Sequence, residues 1–209
     1  MSTPIDTSSP LSQDSSPAFS VCVYCGSRPG HSPEFAVMAA SVGAWIGRHQ
    51  GQLVYGGGHS GLMGIMADAA LAAGARVIGV IPKALVEKEW AHTGCTELHI
   101  VENMHERKRI MAEHADAFLA LPGGIGTMEE FFEVWTWRQL GYHNKPVGLL
   151  NMDGFYDSLL TFLNSAVSTG FMNDWQMQLI RTDDDAESLL QALVQAAGTA
   201  RPLLKLDQI

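Results

Sequence analysis

The stretch that decides the fold is Leu121–Glu130, which reads LPGGIGTMEE. It follows the short apolar run Ala117–Leu121, whose length and bounding turn signal are typical of a buried parallel strand. Beyond the glycines, apolar side chains recur at the i, i+3, i+4, i+7 spacing of one helical face: Met128, Phe131, Phe132 and Trp135. A strand, a glycine turn and a helix therefore follow one another, as in the repeating unit of parallel α/β sheets.

The glycine turn predicts a phosphate cradle. Glycines let the backbone come close to a ligand, and the free amides of a helix N-terminus, helped by its dipole, point at a bound anion. Thr127 to Glu130 has the S/T-x-x-E form of a capping box, which places Glu129 and Glu130 in the first helical turn. Acids there would repel a phosphate, so a cation must share the site. A tight turn without a ligand is the alternative interpretation.

The basic segment Asn103–Met111 offers that cation. On a helix, Met104, Arg107, Lys108 and Met111 share one face, so at least one positive charge is expected to point inward along an apolar stripe. A solvated basic run is the alternative.

Composition favours one globular domain. The 209 residues are 46% hydrophobic and 17% charged, enough for a large core over residues 19–209, whereas residues 1–18 are polar and predicted to form a disordered tail. A net charge of -9 argues against nucleic-acid and anionic-membrane partners. Three cysteines without disulfide spacing, no apolar leader and no run of ~20 apolar residues predict a cytoplasmic protein.

Strands and helices alternate along the chain. The predicted strands are 20–24, 52–55, 76–81, 98–101, 117–121, 146–151 and 178–181, and the predicted helices are 33–49, 62–73, 103–115, the one after the glycine turn, 156–168 and 184–197. This order predicts a single-domain, Rossmann-like α/β fold with an open parallel sheet covered on both faces. Glycine turns at 25–30, 56–61 and 121–127 end strands at the sheet edge where such folds bind ligands.

Three other motifs carry less weight. Gly56, Gly58 and Gly61 match G-x-G-x-x-G, but no acid follows about twenty residues on, so a dinucleotide is disfavoured. Cys22 and Cys25 have C-x-x-C spacing, yet on one strand they face opposite sides and are interpreted as core thiols.

The eight histidines include no H-E-x-x-H motif, and only His59 lies in a glycine turn, so no metal site is predicted. Trp135 and Trp137, beside the two phenylalanines, exceed what one helix face needs, which predicts a two-fold homodimer.

Three motifs together resemble one family. Tyr55–Gly64 (YGGGHSGLMG), Met104–Lys108 (MHERK) and Pro122–Glu130 (PGGIGTMEE) are similar to the signatures of the LOG (Lonely Guy) family, the cytokinin riboside 5'-monophosphate phosphoribohydrolases. Many of its members have been labelled lysine decarboxylases. The resemblance runs from about Val21 to Leu193.

The resemblance implies hydrolysis of the N-glycosidic bond of AMP-type nucleotides, including N6-prenyl-AMP, to free base and ribose 5-phosphate without metal or cofactor. Arg107 and Glu130 match the family's catalytic pair. With neighbouring positions of the same motifs, the candidate substrate contacts are Ser27, Gly57, Gly58, Glu89, Met104, Lys108, Gly123, Gly124, Ile125, Gly126, Thr127, Met128, Glu129 and Thr136.

The chemistry agrees with that implication. Cleavage of a ribosyl bond passes through an oxocarbenium-like state, which a carboxylate such as Glu130 stabilises while it activates water, and a guanidinium such as Arg107 offsets the charges of carboxylate and phosphate. Glu130 as a purely structural capping residue is the alternative.

Two other functions are rivals. A non-catalytic protein of related fold could hold a nucleotide or phosphorylated cofactor without cutting it. A lysine decarboxylase is rejected, because none of the five lysines lies in a recognisable pyridoxal phosphate motif.

Overall fold

The computed structural model describes residues 16–88 and 90–199. Within them lie seven strands: Ser20–Tyr24 (β1), Gln52–Tyr55 (β2), Arg76–Pro82 (β3), Glu97–Val101 (β4), Ala117–Ala120 (β5), Val147–Leu150 (β6) and Ile180–Asp183 (β7). The α-helices of the same ranges are Pro33–Arg48 (α1), Gly61–Ala72 (α2), Met104–Glu113 (α3), Ile125–Gln139 (α4), Asp157–Ser168 (α5), Asp174–Met177 (α6) and Ala186–Ala197 (α7). Most of the predicted disordered tail, and Glu89, lie outside the described residues.

The strands form one parallel sheet in the order β4-β3-β2-β1-β5-β6-β7. The chain first winds outward from β1 to β4 and then returns to place β5 on the other side of β1, with Val21 opposite Ala117. Strand order therefore reverses between β1 and β5. Both strands are buried along their whole length, because helices cover both faces of the sheet. The predicted α/β fold is confirmed.

Two hydrophobic cores lie on opposite faces of the sheet. One face packs against α1, α2 and α7, and the other against α3, α4 and α5. Cys25 belongs to the first core, which α1, α2 and α7 cover, and Cys22 belongs to the second core, which α3, α4 and α5 cover. The prediction that the two thiols face opposite sides is therefore confirmed. Burial raises the pKa of both thiols. Neither forms a disulfide, and Cys95 is also free.

The predicted capping box at the start of α4 is wrong. The helix begins at Ile125 with Gly124 as its N-cap and no side-chain cap, because the extended backbone of this glycine leads directly into the helix. Thr127 is a buried first-turn residue, and the first turn contains no acid. Glu129 and Glu130 lie in the second turn, so they leave the helix N-terminus open to an anion.

Other differences from the predicted elements are small. The last strand begins two residues later than predicted, β3 includes Pro82, and the short helix α6 was not predicted. α6 matters because it covers part of α4: the buried Trp135 donates a hydrogen bond from Nε1 to the carbonyl of Gln176 over 3.0 Å. Trp137 packs at the edge of the same core. Phe131 and Trp135 are therefore covered within the chain, whereas Phe132 and Trp137 are only partly buried.

None of the described helices is long and apolar enough to span a bilayer.

Candidate active site

A cavity of about 650 Å³ opens at the carboxyl ends of β1 and β5, where strand order reverses. Its walls are the turn after β1, the turn after β5 and the inner side of α3. The two turns are joined directly, since Gly26 N–H donates to the carbonyl of Pro122 over 3.2 Å. The topology thus puts two of the three glycine turns at one crevice, as open α/β sheets do with their ligand sites.

The turn after β5 has the form of an anion cradle. The first hydrogen bond along α4 runs from Met128 N–H to Gly124 carbonyl over 3.2 Å. The amides of Ile125, Gly126 and Thr127 precede it and lie at the positive end of the helix dipole. These three residues line the cavity. The helix N-terminus therefore offers peptide donors to an anion in the crevice.

The glycines of this turn have two different roles. A Cβ on Gly123 would lie 2.1 Å from Oγ1 of Thr127, so close packing excludes a side chain there. A Cβ on Gly124 or Gly126 would meet nothing within 4 Å, and neither has a positive φ. Neither packing nor backbone conformation requires glycine at these two positions. The space they leave faces the cavity, where a ligand would approach the backbone.

Arg107 is the buried cation that the sequence predicts. Only 5% of the residue is exposed, and its Nη2 donates to the carbonyl of Gly56 over 3.2 Å. A Cβ on Gly56 would lie 2.1 Å from that nitrogen, so only glycine leaves room for the guanidinium. Its Nε is buried and has no hydrogen-bond partner within residues 16–88 and 90–199. The guanidinium thus lies at the cavity wall with hydrogen-bonding capacity unused.

Arg107 and Glu130 meet across the cavity. Nη2 of Arg107 lies 3.9 Å from Oε1 of Glu130, and their side chains are 7% and 12% exposed. Both residues line the crevice. Because both side chains are largely shielded from water, their opposite charges attract more strongly than those of a surface pair. The pair therefore presents a carboxylate oxygen and a guanidinium to a molecule bound in the cavity.

Lys108, the next residue of α3, pairs with two acids of α4. Its Nζ donates to Oε1 of Glu129 over 2.7 Å and to Oε1 of Glu133 over 2.8 Å. Burial alone lowers the pKa of Lys108, but the two carboxylates outweigh it and the pKa is raised above its ordinary value. This pairing neutralises Glu129, which would otherwise repel an anion in the cradle.

The structure brings most of the candidate residues together. Those lining the cavity are Ser27, Met104, Arg107, Gly123, Gly124, Ile125, Gly126, Thr127, Glu129 and Glu130. Gly57, Gly58, Lys108, Met128 and Thr136 lie outside its lining within this chain. Met128 packs against the second core, and Thr136 is exposed on α4.

Arg28 and Phe155 are among the lining residues that the sequence alone did not identify. Arg28 is an exposed cation in the turn after β1, and its position after a strand end was the signal that could have found it. Phe155 follows β6, and no local pattern marks it. Together they add a positive charge and an aromatic face to the crevice.

The turn after β2 is closed by the protein's own backbone. His59 N–H donates to the carbonyl of Trp90, and His92 N–H donates to the carbonyl of Gly57, each over 2.9 Å. Gly58 forms an isolated bridge with Ala91. Of this turn, only the Gly56 carbonyl reaches the site, through its bond to Arg107. Within residues 16–88 and 90–199, none of the three glycines of the G-x-G-x-x-G pattern lines the cavity.

Comparisons with known proteins agree with this geometry. A family model described as "Possible lysine decarboxylase" matches residues 63–193. The chain is 47% identical over 173 residues to a cytokinin riboside 5'-monophosphate phosphoribohydrolase of Arabidopsis thaliana, covering 83% of this chain and 80% of the relative. It is also 47% identical over 175 residues to the enzyme of that name from Rhodococcoides fascians, covering 83% and 88%.

Solved structures show the same fold at low identity. A molybdenum cofactor carrier protein from Chlamydomonas reinhardtii superposes with a TM-score of 0.64 at 21% identity, covering 86% of this chain and 98% of that one. A molybdenum cofactor binding protein from Rippkaea orientalis gives 0.63 at 20% identity, covering 84% and 95%.

Proposed function

This chain belongs to the LOG family, and on that premise we propose that it hydrolyses the N-glycosidic bond of cytokinin riboside 5'-monophosphates and of AMP. The products are the free base and ribose 5-phosphate. The observation that carries the proposal is the Arg107–Glu130 pair, 3.9 Å apart, facing the open amides of α4 across one cavity.

The 5'-phosphate binds at the N-terminus of α4. The amides of Ile125, Gly126 and Thr127 donate to its oxygens, and the helix dipole favours the negative charge. Arg28 at the cavity wall adds a cation, and Lys108 removes the repulsion of Glu129. Anchoring the phosphate there leaves the sugar toward Arg107 and Glu130, which line the rest of the crevice.

Glu130 acts on the anomeric carbon. As the bond from C1' to the base nitrogen breaks, its electrons leave with the base and positive charge develops on the ribose. The carboxylate stabilises that charge and takes a proton from the attacking water, whose oxygen forms the new bond to C1'. The departing base gains a proton, so one water is consumed for each bond cleaved. Arg107 lies beside this carboxylate and offsets its negative charge.

The base lies beyond the sugar, toward the mouth of the cavity. Phe35, Leu62 and Phe155 also line the cavity, so apolar surface is available to an adenine ring or a prenyl group.

The reaction assay separates hydrolysis from nucleotide binding alone. We expect purified protein to release free adenine from AMP and free base from isopentenyladenosine monophosphate. Chromatography of the reaction mixture measures the released base. The ratio of kcat/KM for the two substrates measures base preference. Tight binding of either nucleotide with no base released by the wild-type protein would refute the proposal and favour a carrier function.

The proposal includes a homodimer in a reducing compartment. Ile125 and Met104, exposed at the cavity mouth, form an apolar surface that a second copy would cover. The three free thiols suit a reducing compartment.

Light scattering after gel filtration tests the dimer. We expect twice the chain mass for the wild type and a shift toward monomer for Ile125→Glu. The matched control is Phe171→Glu, because Phe171 is 88% exposed but lies outside the cavity lining. A monomeric wild type, or equal masses for both variants, would contradict the interface.

A further inference from the structure

Three segments outside the cavity bring His59, Asp68 and His92 together. Nε2 of His59 lies 3.0 Å from Oδ2 of Asp68, and Nε2 of His92 lies 3.3 Å from Oδ1 of the same carboxylate. The two imidazole rings stack with centroids 4.3 Å apart. The three ligand atoms all lie within 4.8 Å of one another. The residues come from the turn after β2, from α2 and from the segment before β4.

The histidines are held in position before any ligand arrives. The backbone bonds of His59 to Trp90 and of His92 to Gly57 fix the two segments against each other on both sides of the cluster. The Tyr55 hydroxyl lies 2.9 Å from Nδ1 of His92. It also lies 3.2 Å from Sγ of Cys95. When a histidine bonds through Nδ1 in this way, its Nε2 is the nitrogen left to bind a metal.

We propose that His59, Asp68 and His92 bind a divalent transition-metal ion of the Zn²⁺ type. Two imidazole nitrogens and one carboxylate are a ligand set that Zn²⁺ takes in proteins, with water in the remaining position. Zn²⁺ bonds of about 2.0–2.1 Å in a tetrahedral arrangement put neighbouring ligand atoms about 3.3 Å apart. The observed separations of 3.0 and 3.3 Å, one to each oxygen of Asp68, are close to that spacing.

Access and burial also suit an ion site. The side chains of His59 and Asp68 are 46% and 56% exposed, so an ion can enter from solvent, whereas His92 is 7% exposed and anchors the inner side. The site is separate from the hydrolytic centre, because none of the three residues lines the large cavity.

The ion would act as a clamp and not as a catalyst. His59 shares its turn with Gly56, whose carbonyl orients Arg107. Binding at His59 and His92 would therefore fasten that turn to the segment around Trp90. The free energy of binding would add to the stability of the folded chain by linkage.

The test measures Zn²⁺ binding by the full chain after treatment with a chelator. We expect one Zn²⁺ per chain in competition with a chromogenic chelator, together with a rise in melting temperature on adding Zn²⁺. His59→Ala and Asp68→Asn remove a ligand and should each weaken binding by about 100-fold or more, beyond the 10- to 100-fold that loss of an outer-shell partner costs. Tyr55→Phe, which removes such a partner from His92, should fall within that lower range.

The control is His31→Ala, which removes an exposed histidine away from the cluster and should leave the affinity unchanged. Circular dichroism of each metal-free variant establishes that it is folded. Absence of saturable Zn²⁺ binding in the wild type, or equal affinity in wild type, His59→Ala and Asp68→Asn, would overturn the site and leave a hydrogen-bonded cluster only.

Discussion

The turns after β2 and after β5 have similar sequences, but only the turn after β5 borders the cavity. Both are rich in glycine, both end a buried parallel strand, and both open a helix. In the turn after β5, Gly124 and Gly126 border empty space at a cavity. In the turn after β2, Gly57 has a φ of +75°, and a Cβ added to it would lie 3.1 Å from both the Val80 nitrogen and the Ile81 Cβ. Glycine leaves space for a ligand in the turn after β5, whereas in the turn after β2 it allows the backbone to pack closely against β3.

Arg107 joins the two turns, and its removal should have the largest effect. It bonds Gly56 in the closed turn and faces Glu130 on the helix of the open turn. We expect Arg107→Ala and Glu130→Gln each to lower kcat by about 100- to 1,000-fold, the typical effect of removing one positioned charge. The rate of base release from the 5'-monophosphate under steady-state conditions measures the change in kcat.

The control for that prediction is Glu113→Gln. Glu113 pairs with Arg109 on the surface of α3, and exposed pairs contribute about 0–1 kcal/mol, so activity and folding should be preserved. Near-normal turnover in Glu130→Gln would remove the catalytic assignment of this residue.

A methyl group in the closed turn should damage the fold. Gly57→Ala forces a side chain into a left-handed conformation and against β3, which should lower the free energy of unfolding by about 1–3 kcal/mol. Denaturation by urea measures the loss. If Gly57→Ala is as stable as the wild type, the turn after β2 does not require glycine at this position.

A methyl group in the open turn should damage binding and spare the fold. We expect Gly126→Ala to raise KM by about 10-fold or more, since one added carbon in a fitted site changes binding by that amount. Its stability should stay level or rise by about 0.4–1 kcal/mol, because the helical backbone there accepts alanine.

Gly198→Ala is the matched control for this change. Its Cβ would meet only ordinary contacts beyond 3.7 Å, at the end of α7 and away from the cavity. If Gly126→Ala binds substrate as the wild type does, the empty space beside the turn is not where the phosphate lies.

Much of the fold was predictable because its patterns are local. The buried strands read as short apolar runs, and α1 and α5 carry clear apolar stripes. The last strand was misplaced by two residues because it lies at the sheet edge, where its partly exposed residues follow no strict pattern. The short helix α6 has too few residues to show a period.

Some residues of the site could be predicted from the sequence, but the start of α4 and the full set of lining residues could not. The apolar stripe of α3 predicted at least one inward cation, but it did not distinguish Arg107 from Lys108, and both are buried. The S/T-x-x-E pattern gave the wrong helix start, because the extended backbone of Gly124 caps α4 without a side chain, three residues before Thr127. The cluster of His59, Asp68 and His92 spans three separate segments, so no spacing rule could reveal it.

The pairing of β1 with β5 also governs when activity can arise during synthesis. Ser20 N–H bonds Oδ2 of Asp116 across 96 residues of chain, so the two halves of the crevice are far apart in order of translation. At ~5–20 residues per second, β5 emerges about 5–20 seconds after β1. Until then the nascent chain has no anion cradle, and a polypeptide ending before Glu130 lacks one member of the Arg107–Glu130 pair.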